Sequence, residues 1–179
     1  MKFTETRLPG CFEIEQERRG DERGHFARVF CVDEFRAHGL CTDVLQANAA
    51  YSRGRGTLRG LHFQVGVDAE DKLVRCTRGS AFDVAVDLRS DSATCGQWHA
   101  STLTSEAGNM LFVPKGFAHG YLTLEDDTEM HYMVSATYAP NAEQGYRWDD
   151  PSFAIEWPIT DGLILSDKDK LWPDFVPQS

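Results

Sequence analysis

His62 is the residue that first calls for chemistry. It stands in LRGLHFQ (58–64), between Leu61 and Phe63 and just after Arg59, inside a run that otherwise reads as a β-strand. An imidazole ordinarily titrates near pH 6.5, so it is either satisfied within a core or placed to move a proton. Other strand-like runs carry comparable groups. Alternation sets His119, Tyr121 and Thr123 on one face, and Tyr132 on another with Met130 and Val134. Leu58, Gly60, His62 and Gln64 share a third. These faces mix titratable groups with apolar ones. A filled core excludes that mixture; the interior of a barrel lined for a ligand requires it.

The elements that must position these residues are short strands. KLVRCTRGSAFDVAVDLR (72–89) reads as a hairpin turning at Arg78-Gly79-Ser80, with Phe82, Val84, Val86 and Leu88 alternating against Ala81, Asp83, Ala85 and Asp87. NMLFVPKGFAHGYLTL (109–124) reads as a strand, a Pro-Lys-Gly turn and a second strand. VDEFRAHGL (32–40) predicts a short helix capped by Asp33 and ending near Gly39. RWDDPSFAIEWP (147–158) reads as a rim or loop, and SDKDKLWP (166–173) as a helical turn capped by Ser166 and stopped by Pro173. Many short strands between turn signals predict an all-β sandwich or barrel with a few short helices. At 179 residues, without linker or repeat, the chain is expected to be one domain spanning 1–179.

The net charge of −10 and pI of about 5.0 argue against nucleic acid or anionic membrane as the main partner. A small anion held by a few local arginines stays compatible. The five cysteines include no CxxC pair, the N-terminus has no apolar signal core, and no apolar run reaches membrane length. The expectation is a cytoplasmic protein with reduced thiols and no zinc site of cysteine spacing.

GNMLFVPKGFAH (108–119) fits the cupin block G-x5-P-x-G-x2-H, with Thr123 where that pattern carries asparagine. Many metal cupins add an H-x-H…E block, but RGLHFQ has a single histidine. A catalytic metal normally takes three or more protein ligands, and His62 and His119 supply two. No metal is expected.

Six further stretches carry a wider resemblance: LRGLHFQ, the 72–89 run, GQWHASTL (96–103), FVPKGFAHGYLTL (112–124), YAPNAEQGYRWDDPSFAIEWP (138–158) and LSDKDKLWP (165–173). With DERGHFARVF (21–30) they resemble the dTDP-4-dehydrorhamnose 3,5-epimerases over nearly the whole chain. The resemblance implies a cupin-type jelly-roll barrel, a homodimer, and no metal or other cofactor. The implied reaction inverts C3 and C5 of a nucleotide-diphospho-4-keto-6-deoxy sugar. By the same resemblance His62 is the base, Asp169 its partner, Lys72 the cation near the keto oxygen and Tyr132 the acid. Arg59, His119 and Asp83 match active-site positions, and Arg23 matches an arginine offered to the diphosphate across the dimer. Phe26, Gln46, Asn48, Tyr138 and Glu143 match substrate or nucleotide positions.

The residue types suit those roles. A C–H beside a ketone can be removed if the enolate is stabilised, and a histidine works near neutral pH. A lysine or another fixed donor lowers the energy of the oxyanion, and a planar guanidinium binds two phosphate oxygens together. Three departures keep the substrate open. Arg28 stands where the family commonly has an acid, Ala49-Ala50-Tyr51 where serines are usual, and Met133 in place of a common lysine. Inversion of one carbon only, or action on another nucleotide or a heptose, are the alternatives. A metal-dependent cupin and a non-catalytic sugar-nucleotide binder are further ones, but a binder needs no base and acid on opposite faces.

Overall fold

Apolar residues at every second position build the strands, and glycine or proline turns send the chain between two sheets. The computed structural model describes residues 1–176. In chain order the elements are β1 (Lys2–Glu5), β2 (Phe12–Glu15), β3 (Arg19–Asp21), β4 (Gly24–Phe26), α1 (Val32–Ala37), β5 (Gln46–Ser52) and β6 (Leu58–Gln64). There follow a 3-10 turn (Gly66–Asp68), β7 (Lys72–Arg78), β8 (Ser80–Asp87), β9 (Trp98–Thr104), β10 (Met110–Val113), β11 (Phe117–Thr123), β12 (Thr128–Val134) and β13 (Glu143–Gly145). One sheet runs β1-β2-β10-β7-β12-β5, the other β13-β6-β11-β8-β9, and β3 and β4 form a separate hairpin. All pairings between these strands are antiparallel. This is the cupin-type, nearly all-β fold that the sequence predicts.

The 72–89 run is two strands but not a hairpin. β7 pairs with β10 and β12 in one sheet, while β8 pairs with β9 and β11 in the other. Gly79 makes the corner at φ +75°, and a Cβ there would lie 2.6 Å from Thr128 Oγ1. Alternation identifies a strand but not its partner, and local sequence cannot separate a sheet-to-sheet corner from a hairpin turn. The Pro114-Lys115-Gly116 turn likewise carries the chain from β10 in one sheet to β11 in the other.

Between the sheets Leu8, Cys11, Val74, Leu103, Leu111 and Met130 are fully buried, and Tyr132 packs against their cluster. β8 turns Ala81 and Ala85 into that interior and sends Phe82, Val84 and Val86 to the outside, where Leu88 just beyond the strand joins them. There they meet Phe153 and Trp157. The 147–158 stretch, a rim or loop from its sequence, therefore roofs the outer face of the five-stranded sheet. On the other side α1 buries Phe35 against Ile14, Leu73, Met110 and Phe112. Its N-cap is Cys31, without a side-chain cap, rather than Asp33. Asp33 sits inside the first turn, where its charge favours the helix N-terminus. Gly39, at φ +70°, follows the C-cap His38 as expected.

Asp87 is buried at the end of β8 and accepts from Arg89 Nε (2.9 Å), Arg89 Nη2 (2.7 Å), Ser92 Oγ (2.6 Å) and Thr94 Oγ1 (2.7 Å). Burial pushes its pKa up, but these bonds outweigh burial and hold it at about 2, against an ordinary 3.8. A carboxylate depressed in the folded state stabilises above its unfolded pKa, and the contribution is lost as pH falls through the folded value. Asp87→Asn is therefore expected to lower the unfolding free energy at pH 7 by on the order of 2 kcal/mol. Denaturant unfolding across pH should show that deficit shrinking as pH falls from about 4 towards 2; a deficit independent of pH would contradict it.

Candidate active site

β6 brings Arg59 and His62 to the interior from the five-stranded sheet, and β11 beside it brings His119 and Tyr121. β7 and β12 bring Lys72 and Tyr132 from the six-stranded sheet. Strict alternation would turn Arg59 and His62, three positions apart, to opposite faces. The ladder instead shifts: His119 pairs with His62, but Tyr121 pairs with Arg59, so β6 carries one extra residue. Gly60 takes the irregularity at φ +129°, where a Cβ would come within 2.5 Å of Gly120 Cα. The predicted alternation of Leu58, Gly60, His62 and Gln64 thus breaks at Gly60, and Arg59 and His62 both line the cavity.

The C-terminal segment adds a further part of the lining, beside β6. Ile164 pairs in parallel with Thr57, and the chain then passes Ser166, Lys168 and Asp169 along the cavity. The segment 166–171 forms hydrogen-bonded turns, and Ser166 Oγ accepts from the Asp169 N–H at 3.1 Å, as its predicted capping role requires. His62 Nε2 lies 2.5 Å from Asp169 Oδ1, and Ser166 Oγ donates to Asp169 Oδ2 at 2.8 Å. Burial raises the Asp169 pKa, but the His62 bond and charge, with Ser166 and Trp172, more than offset this and hold it below the ordinary carboxylate value. The ionised carboxylate accepts the proton on Nε2, and whenever the ring is neutral this leaves the lone pair on Nδ1.

The cavity has two lobes. One, of about 470 Å³, is bordered by Leu58, Arg59, His119, Tyr121, Lys168 and Asp169 among others. The second, of about 360 Å³, is bordered by Gln46, Asn48, Glu70, Tyr138 and Glu143 among others. His62, Lys72 and Tyr132 border both lobes. The imidazole and the phenol therefore face a shared space from opposite sheets. Burial raises the Tyr132 pKa, Arg59 lowers it and Glu70 raises it; the net effect is upward, so the phenol keeps its proton at neutral pH. His119 Nε2 sits 2.9 and 3.0 Å from the oxygens of Asp83, both residues buried. In the second lobe Tyr138 Oη donates to Glu143 Oε2 (2.6 Å), and the Tyr138 N–H donates to Gln46 Oε1 (2.6 Å). Burial raises the Glu143 pKa, but the bonds from Lys168 and Tyr138 bring it below the ordinary value.

A family model described as dTDP-4-dehydrorhamnose 3,5-epimerase matches residues 5–176. The chain belongs to the dTDP-4-dehydrorhamnose 3,5-epimerase family. It is 46% identical over 160 residues to the dTDP-4-dehydrorhamnose 3,5-epimerase of Sinorhizobium fredii, covering 89% of this chain and 82% of that one. The crystal structure of the Elizabethkingia anophelis enzyme of that name superposes with a TM-score of 0.95 at 37% identity, covering 98% of this chain and 96% of that one. The Bacillus anthracis structure of that name, with TDP and PPi bound, gives 0.94 at 39% identity and covers 97% and 99%. Membership places the chain among the carbohydrate epimerases, an isomerase class.

Of the residues that the family resemblance singled out, this epimerase fold brings eleven to the two lobes or to a group that lines them: His62, Asp169, Lys72, Tyr132, Arg59, His119, Asp83, Gln46, Asn48, Tyr138 and Glu143. Arg23 and Phe26 lie on the β3–β4 hairpin and border neither lobe. Arg23 is paired with Asp21 at 2.5 Å, and Phe26 is 70% exposed. Sequence reading missed Lys168, whose Nζ meets Glu143 Oε2 at 2.5 Å, and Glu70, whose Oε1 is 3.1 Å from Lys72 Nζ. The signal for Lys168 was its place beside Asp169. Glu70 gave none beyond lying two residues before Lys72. Arg28, a departure from the family pattern, pairs with Glu34 on α1 at 2.8 Å. Among the described residues no helix is long and apolar enough to cross a membrane.

Proposed function

We propose that the chain epimerises a nucleotide-diphospho-4-keto-6-deoxy sugar, inverting both C3 and C5 of the dTDP-linked sugar by proton transfer through an enolate. The observation that carries this is the shared bordering of both lobes by His62 and Tyr132 from opposite sheets. His62 Nδ1 removes the proton from the carbon beside the ketone. The C–H electrons move into the C–C–O system, and the oxygen becomes an enolate beside the Lys72 ammonium. Tyr132 returns a proton to the opposite face of that carbon, and the enolate collapses to the ketone. No electron is gained or lost, so no redox partner is required. Asp169 orients the imidazole and steadies it while charged.

Arg59 suits the diphosphate, and Gln46, Asn48, Tyr138 and Glu143 suit the nucleotide. His119, held by Asp83, supports the sugar end. Arg23 and Phe26 join the site from a second copy of the chain: the active form is a homodimer of one-domain chains (1–179, the last three residues lying outside those described) working in the cytoplasm without metal or cofactor. The dTDP sugar is the reading favoured by the family membership and by the TDP-bound Bacillus anthracis relative.

Incubation with the dTDP-4-keto-6-deoxy sugar in deuterated water tests it. Two deuterons at C3 and C5 of the inverted product are expected. One exchanged carbon would replace the double inversion by a single one, and none would reject the substrate.

A further inference from the structure

Glu70 has no part in the reaction above, yet it borders the second lobe and pairs with the lysine that borders both. Glu70 Oε1 lies 3.1 Å from Lys72 Nζ, and each side chain is only 12% exposed. A lysine stem has four rotatable bonds and a point charge, so it does not hold its head in one place unaided. β7 fixes the start of this lysine, since Lys72 pairs with Val113 on one side and Val134 on the other. Beyond that start the head is held by Glu70. Gln64 Nε2 reaches the other Glu70 oxygen at 3.4 Å and donates to the Asp68 carbonyl at 2.9 Å and the Thr137 carbonyl at 3.2 Å. The adjoining Asp71 is itself pinned: its carboxylate accepts from Ser135 Oγ at 3.0 Å and from the Lys115 N–H at 3.1 Å. Glu70 therefore sits on a fixed stretch of backbone.

We propose that Glu70 is a positioning residue that holds the Lys72 ammonium where it meets the substrate's carbonyl oxygen. This rests on Lys72 being the enolate-stabilising cation. A carboxylate beside an ammonium also subtracts from the positive potential that an enolate would feel. Glu70 is thus useful for place rather than for charge, and glutamine should do most of its work. A donor displaced by about 1 Å from the developing oxyanion commonly loses a large part of its effect.

The test is a double-mutant cycle on epimerisation with the dTDP-4-keto-6-deoxy sugar, with kcat and KM measured separately. Glu70→Ala is expected to lower kcat about tenfold with KM changed less than about threefold. Glu70→Gln, which keeps an acceptor oxygen, is expected to restore most of the loss. In a Lys72→Ala background, Glu70→Ala should cost less than about twofold, because residues acting through one contact are not additive. Wild-type kcat in Glu70→Ala overturns the inference. So does a tenfold loss that persists without Lys72, which marks a structural role, and so does a glutamine variant no better than alanine. Full activity in Lys72→Ala alone would instead overturn the enolate-cation reading beneath it, and the inference with it.

Discussion

Replacing His62 with asparagine is expected to lower epimerisation by between about 10² and 10⁴-fold, the usual range for losing a positioned general base. Asparagine can still donate to Asp169, so the C-terminal segment that closes the cavity keeps its anchor. It has no lone pair of useful basicity at neutral pH. The loss should therefore fall on kcat, with KM for the sugar nucleotide nearly unchanged. Binding of dTDP alone should stay within a fewfold of wild type, since Gln46, Asn48, Tyr138 and Glu143, which border the second lobe with it, are unchanged. Solvent exchange at C3 and C5, followed by NMR, is the direct readout. Exchange at the wild-type rate would remove His62 as the base. Loss of dTDP binding together with exchange would mean that the substitution had disturbed the cavity rather than the chemistry.

What sequence could reveal of this site depended on which physical signal carried each residue. Alternation and turn residues were enough for the strands, though not for their ends: the alternating run 129–138 is strand only as far as Val134. They were not enough for partners: whether the chain turns back on itself at Gly79 or crosses to the other sheet depends on contacts with Thr128, nearly fifty residues on. Faces were readable only where the ladder is regular. Arg59 and His62 reach one cavity through a local extra residue at Gly60, for which a glycine within a strand is the only trace. The large apolar face of β8 points out of the barrel because aromatics some seventy residues later cover it. The His62–Asp169 bond spans 107 positions and no periodicity reports it. The family resemblance supplied that pairing.

The same limits explain the two residues left outside the lobes. Arg23 and Phe26 lie on a hairpin separate from both sheets, and a single chain gives them no contact with His62. Phe26 is 70% exposed in the single chain. The homodimer proposed here accounts for both, and the arginine's pairing with Asp21 is an exposed, easily exchanged one.

Tyr132→Phe should separate the two halves of the reaction. The change removes one oxygen and leaves the ring that packs against the interior cluster, so the fold and the cavity walls persist. In the proposed mechanism His62 and Lys72 keep their roles in this variant, so exchange with solvent is expected to continue at the face of His62. What is lost is delivery from the other face. Burial raises the phenol above its ordinary pKa of 10.0 despite Arg59, so in the wild type the proton is present throughout the neutral range. The variant is expected to incorporate deuterium with retention of configuration, while inversion falls by about 10² to 10⁴-fold. The ratio of exchange to inversion is the quantity to measure, because a general loss of folding or binding lowers both terms together and leaves the ratio at its wild-type value. If inversion proceeds undiminished without the hydroxyl, the proton on the second face comes from another group or from water. The opposition of imidazole and phenol across the two lobes would then be geometry without a catalytic role.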